Sequence, residues 1–396
     1  MNPETSRARI EALSKVGRLS TATRVCHQLD CHLKGNPASP PPPAEALTPL
    51  RAELHPADND MDILPPSALD PPVDSSMQIT AHQLRDRIYR LSRDSSSGQT
   101  GWSYSAIKDL ADDRRDPGYD ALLTPPSPLH IGLICNKMLR GEVTGIARDL
   151  LVSARLNMVP KEGNKYRPIR IECAICRLFG AVAAGVARKA VGPGLLPIQT
   201  GGGLRCGVEF AFMMADLAYR QEDAIIAVDL ENAFNTIRHR PIFDAIMERH
   251  SPIARFFRWK YGTPSEMRDH SGRVVAHTRT GVGQGDPWGG LLFELGYQAA
   301  LLHLSQHVQD EATAYNRENP SSPLRTSGHV VAYEDDTQVM GPNPLMFRIA
   351  PSISPLLAEH GFSVNIHKSF ITGQLMDSSP DPPEDFQLEP DGLMVL

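Results

Sequence analysis

The stretch GHVVAYEDDTQVMG, residues 328–341, sets three consecutive carboxylates between two apolar runs of strand-like composition. Side chains alternate between the two faces of a strand and neighbouring like charges repel, so Glu334, Asp335 and Asp336 are costly in an uninterrupted strand. The pattern restricts the segment to a turn that carries the acids, or to a place where a cation meets them. Taken in isolation it is most simply a solvated acidic turn, and the rest of the chain has to decide.

At 396 residues the chain can bury a sizeable core, as one large domain or two with tails. A hydrophobic fraction of 41% and a charged fraction of 22% are ordinary for a globular protein, and no apolar run is long enough to span a bilayer. The first twenty residues lack the apolar core of a secretory signal, and Glu4 and Glu11 argue against a transit peptide, so an intracellular place, nucleus or cytoplasm, is expected. A net charge of -6 gives no overall basic footprint for nucleic acid, although net charge does not fix local patches. The six cysteines read as reduced thiols. Cys173 and Cys176 form a CxxC inside an apolar run, which points to core packing, and Cys26-His27 with Cys31-His32 lack a downstream partner at zinc-finger spacing.

Prolines crowd residues 35–76, which predicts a mostly extended linker with order starting near Thr80. Thr80 and Gln83 form a capping box ahead of Leu84, Ile88 and Leu91; Ser127-Pro128 opens a second helix through Leu129, Leu133 and Leu139 that stops at Gly141. ARLNMVP and YRPIRIE predict a strand pair around a turn at 161–165, followed by helices over 173–190 and 208–220. AIIAVDL predicts a buried strand, 241–250 and 253–261 short helices, 274–283 a strand, and 291–308 a long apolar helix. Beyond the acidic hairpin, a helix over 355–360 closing at Gly361 and a strand FSVNI are expected, then a disordered tail after Gly373 containing SSPDPPED. The class is mixed α/β.

Five segments then fall in a telling order: YRPIRIE, AVDLENAFN, GQGDPWGGLLF, AYEDD and GFSVNIHKS. Together they resemble the palm motifs of reverse transcriptases, especially those of non-LTR retrotransposons, over residues 97–373. The resemblance implies the fingers and palm of a right-hand polymerase, with an antiparallel palm sheet backed by helices. It also suggests a division into an N-terminal extension and Pro-rich linker (1–78), a fingers-like region (79–220), a palm (221–373) and a tail (374–396). The implied activity is RNA-directed DNA polymerisation, with an RNA template, a DNA or RNA primer and dNTPs as partners and two Mg²⁺ ions as cofactors. A reverse-transcriptase-like RNA-binding scaffold without activity is the alternative.

By that resemblance Asp229 and Asp335 are principal metal ligands and Asp336 a supporting acid, since hard cations favour carboxylate oxygens. Phe234 stands where the family places a steric gate against a ribose 2′-hydroxyl; alone it suits a core aromatic. Gln284 and Gly285 match the segment packed against nucleotide and template, although a strand-to-helix turn accounts for them equally. Lys161 and Arg167 resemble residues that hold the triphosphate, and Lys368 the lysine that protonates pyrophosphate; each alone suits a surface charge. Three departures stand out. Glu334 fills a slot that is usually small or apolar, and strand alternation points it away from Asp335, towards primer or nucleotide. Trp288-Gly289-Gly290 replaces the commoner Leu-Gly-Pro, which leaves the local helix start unsettled, and no ordinary helical thumb, endonuclease or RNase H segment is evident, as in a fragment or a degenerate copy.

Overall fold

A computed structural model describes residues 64–92, 98–111, 128–160, 166–202, 204–269, 271–373 and 386–388. In chain order the elements are α1 (Ala81–Arg90), α2 (Tyr104–Ala111), α3 (Pro128–Leu139), α4 (Gly145–Val152), β1 (Ala154–Pro160), β2 (Tyr166–Glu172), α5 (Ala174–Val191) and α6 (Gly207–Arg220). Then come β3 (Ala224–Val228), the single turn α7 (Ala233–Thr236), α8 (His239–His250), α9 (Ala254–Tyr261), β4 (Ser265–Arg268) and β5 (Val274–Thr278). The chain continues through α10 (Gly289–Glu318), β6 (His329–Tyr333), β7 (Asp336–Gly341), α11 (Asn343–Glu359), β8 (Phe370–Thr372) and β9 (Gln387–Leu388).

Two sheets form among the described residues. One has the order β2-β1-β4-β5, the other β6-β7-β3-β8-β9. In the second, β3 lies at the centre, antiparallel to β7 and β8. One face of this sheet carries α10 and α11; the other carries α6, whose Ala211, Ala215 and Ala218 meet Ile225, Val331 and Met340. Covering on both faces is why AIIAV is apolar at every position instead of alternating.

Helix starts follow local chemistry. Thr80 caps α1 in a reciprocal capping box with Gln83, and Leu84 and Ile88 face the core. In α3, however, Cys135, Met138 and Leu139 are buried while Leu133 is exposed, so the inward stripe differs from the leucine pattern. Both CxxC cysteines are buried, Cys173 as the residue capping α5, and burial pushes the Cys176 thiol up.

Four expectations change. The helix expected over 355–360 is the last part of α11, which runs through Pro351 and Pro355. An interior proline costs about 3 kcal/mol, yet Leu345, Met346, Ile349, Ala350, Ile353, Leu356 and Leu357 are buried along one stripe, at roughly 1.5–3 kcal/mol per large side chain. FSVNI is not a strand: Val364 makes one isolated bridge to Leu230, and the strand beside β3 is β8. The strand expected over 274–283 stops at Thr278, because the chain turns to form the cavity wall described below, and β4 supplies its unexpected partner. Packed chain also extends past the expected limits. The Asp70 carboxylate pairs with Arg258, Met77 N–H donates to Pro252 O, and Phe386 is buried beside β9, which lies parallel to β8. Among the described residues no helix is long and apolar enough to cross a membrane.

Candidate active site

The β6–β7 hairpin closes in a two-residue loop, Glu334-Asp335, between the paired residues Tyr333 and Asp336. Glu334 and Asp335 therefore stand at a turn, one of the two places the charge argument allows, and Asp336 opens β7. Because Val228 pairs with Thr337, the next step along each strand sets Asp229 beside Asp336. Partial desolvation and then the Asp229 carboxylate push the Asp336 carboxyl above its ordinary range, against the pull of Lys368. Asp229 is held from the other side by the 363–369 segment. Asn365 Nδ2 donates to its Oδ2 at 2.9 Å, Asn365 N–H donates to its carbonyl at 2.8 Å, and its own N–H donates to Ser369 Oγ at 3.0 Å. That segment turns through Lys368, which is exposed, into β8.

Beside the hairpin lies an open cavity of about 420 Å³ lined by Phe234, residues 283–286, Gly289, Gly290, Glu334 and Asp335, with Ile169 at one wall. Phe234 is half-buried. Its ring stacks on Phe293 at 4.6 Å, so it is at once a core aromatic and a cavity wall. Gln284 O accepts from Arg170 N–H at 3.0 Å, which ties this wall to β2, and Gln284 Oε1 is buried with no partner among the described residues. Gly285 has φ +100, and a Cβ there would lie 3.0 Å from Arg170 O, so backbone freedom and close approach both call for glycine. Lys161 lies outside the described residues; of Arg167 the structure describes the backbone, opposite Val159 in the β1–β2 ladder.

Two departures from the family pattern fit each other. Glu334 sits at the turn with φ 55, where strand alternation no longer sets direction. Its Oε1 occupies space that a side chain at 290 would need, 2.6 Å from where a Cβ on Gly290 would stand. It still lines the cavity, with its carboxyl raised by desolvation and then by Asp335, opposed by Arg188. Trp288 is buried against Gly180 and Phe256, and α10 starts immediately after it.

Sequence reasoning missed the ionic floor under residues 283–286. Lys260, fully buried, pairs with Glu172 Oε2 at 2.8 Å and Asp286 Oδ1 at 2.7 Å. Tyr261 OH donates to Asp286 Oδ2, whose Oδ1 also accepts Trp288 N–H. Burial alone would lower Lys260; the two carboxylates reverse that and hold it well above the ordinary lysine range. Arg170 adds Nη2 bonds to Val152 O and Ser265 Oγ, tying β2 to the end of α4 and, across β1, to β4. It also missed Glu294. This α10 carboxylate is buried, has no hydrogen-bond partner among the described residues, and is pushed up to about 8 by desolvation and by Glu334, against Arg188.

The pattern of the family Reverse transcriptase (RNA-dependent DNA polymerase) matches residues 159–377, over half of the chain. The chain belongs to the reverse transcriptase family. A relative, the retrovirus-related Pol polyprotein from type-1 retrotransposable element R2 of Bradysia coprophila, is 30% identical over 169 residues, which cover 38% of this chain and 19% of the relative. The chain thus spans about a fifth of that relative's length. Its matched region holds the cavity, the acidic hairpin, Asp229 and Lys368.

Proposed function

We propose that the chain is the fingers and palm of an RNA-directed DNA polymerase, which adds a deoxynucleotide from a dNTP to a primer 3′-hydroxyl on an RNA template. One observation carries the reading. The hairpin turn brings Asp335 to the cavity wall and Asp336 beside Asp229, whose carboxylate raises that of Asp336 against the pull of Lys368. Proposed fingers are residues 79–220 together with the β4–β5 hairpin, which joins their sheet from later in the chain; the rest of 221–373 is the proposed palm.

Asp229, Asp335 and Asp336 would hold two Mg²⁺ ions. No three ligating side chains among the described residues converge as a finished metal cage. The fit rests on the side-by-side carboxylates of Asp229 and Asp336, since Mg²⁺ takes one or two carboxylates and completes its shell with water and substrate phosphates. When bound, the ions would lower the pKa of the primer hydroxyl and neutralise the departing pyrophosphate. Phe234, braced by Phe293, walls off the space a ribose 2′-hydroxyl would need; Gln284 and Gly285 lie against nucleotide and template; Lys161 and Arg167 hold the triphosphate; Lys368 gives a proton to pyrophosphate. The test is primer extension on an RNA template with dNTPs or rNTPs, at varied Mg²⁺, for the chain and for Asp335→Asn. Extension with dNTPs that needs Mg²⁺ and is lost in Asp335→Asn supports the reading; a folded chain without extension leaves the RNA-binding scaffold.

A further inference from the structure

Gln199 is fully buried, and its side-chain amide makes two bonds to a single residue of the hairpin loop. Nε2 donates to Glu334 O at 2.9 Å, and Glu334 N–H donates to Oε1 at 2.9 Å. The backbone prepares this contact: Ala332 N–H donates to Ile198 O at 2.7 Å and Thr200 N–H to Ala332 O at 2.8 Å, a parallel bridge centred on Gln199. Residues 198–200 thus run along β6 as a fragment of a further strand. Where β6 ends, the Gln199 amide continues the pairing with its side chain.

The residue it grips is under strain. Glu334 has φ 55, a conformation that costs a residue with a Cβ about 1–2 kcal/mol and persists where surrounding bonds over-determine it. Glu334 also packs closely on two glycines: its N and Cγ each lie 3.3 Å from where a Cβ on Gly201 would stand, and its Oε1 2.6 Å from where one on Gly290 would stand. The next residue is Asp335, so any unwinding of Glu334 redirects the carboxylate that follows it.

We propose that Gln199 is a positioning residue for nucleotidyl transfer: its amide locks the left-handed turn at Glu334 and thereby sets the direction of Asp335. The catalytic consequence rests on the polymerase reading above; the lock itself does not.

Gln199→Met keeps the volume and removes both bonds. Hydrogen exchange over a peptide spanning 330–337 reports the lock without reference to activity, and primer extension reports its consequence. Exchange at the hairpin tip rises by about tenfold or more, while peptides from α10 and α11 keep their protection. kcat falls by about 10–100-fold and the Mg²⁺ requirement rises, with the dNTP KM changed by less than about threefold. Adding Glu334→Gly, which takes up φ 55 without strain, restores most of kcat; adding Glu334→Ala, which removes the carboxylate but keeps the Cβ, does not. Unchanged exchange at the tip overturns the lock. Lost kcat that Gly and Ala restore equally, or neither restores, overturns the positioning role and leaves Gln199 as packing. If the wild-type chain does not extend a primer, the polymerase reading fails, and exchange in Gln199→Met still decides the lock.

Discussion

Two acidic regions lie on either side of the same cavity and differ in one respect. Under residues 283–286, Glu172 and Asp286 share the Lys260 ammonium and a phenol, inside a closed core. Across the cavity, Asp336 stands beside Asp229, and Glu334 beside Glu294, with more negative than positive charge to hand. The first set is complete within the chain and its chemistry ends in stability. The second is incomplete among the described residues, where Lys368 and Arg188 offset it only in part, and completing it takes a proton or a cation. Charge that the fold leaves uncompensated at a cavity wall is the better pointer to function.

Breaking the complete set has the largest effect. Lys260→Met strands two buried carboxylates and should cost about 3–5 kcal/mol, read by denaturant unfolding, with loss of soluble protein at 37 °C. Equal stability would mean that the network is dispensable.

On the incomplete side, removing a charge should stabilise. Glu294 titrates near 4.5 unfolded and about 8 folded, so between those values the folded state holds the extra proton and stability falls as pH rises. Glu294→Gln should flatten that slope and gain about 1–3 kcal/mol at pH 8.5 relative to wild type, with little difference near pH 4.5. Matching slopes for the two proteins across that window would show that Glu294 is compensated.

A smaller effect sharpens the role of the cavity wall. Phe234→Val should raise rNTP use relative to dNTP by about tenfold in the ratio of kcat/KM, roughly 1.4 kcal/mol of discrimination, while loss of the stack on Phe293 lowers stability modestly. An unchanged ratio assigns the ring to the core alone. The smallest expected effect is on Asp336. In EDTA, Asp336→Asn should raise stability by about 0.5 kcal/mol, and saturating Mg²⁺ should stabilise the wild type but not the variant. A destabilised variant in EDTA would contradict the repulsion.

Much of this layout is legible along the chain. Local signals with their own mechanism survived folding: the Thr80 capping box, the two-sided apolar run of β3, and a triple acid that interrupts a strand. The turn and the site order follow from charge and spacing, which need no knowledge of distant partners. What proved illegible depends on partners far along the chain. Lys260 meets Glu172 and Asp286 across separations of 88 and 26 residues, and Gln199 meets Glu334 across 135, so no spacing rule reports them. Pro351 and Pro355 signal a break in a helix, and only the core packed against α11 outweighs that signal. Alternation is no guide to Glu334 because it assumes a strand, whereas a left-handed turn, held by another segment, sets where that side chain goes. The sequence by itself determined which groups carry charge and where the backbone must bend. Tertiary structure alone decided which of those charges are neutralised, since compensation depends on which segments meet in space and how little water remains between them.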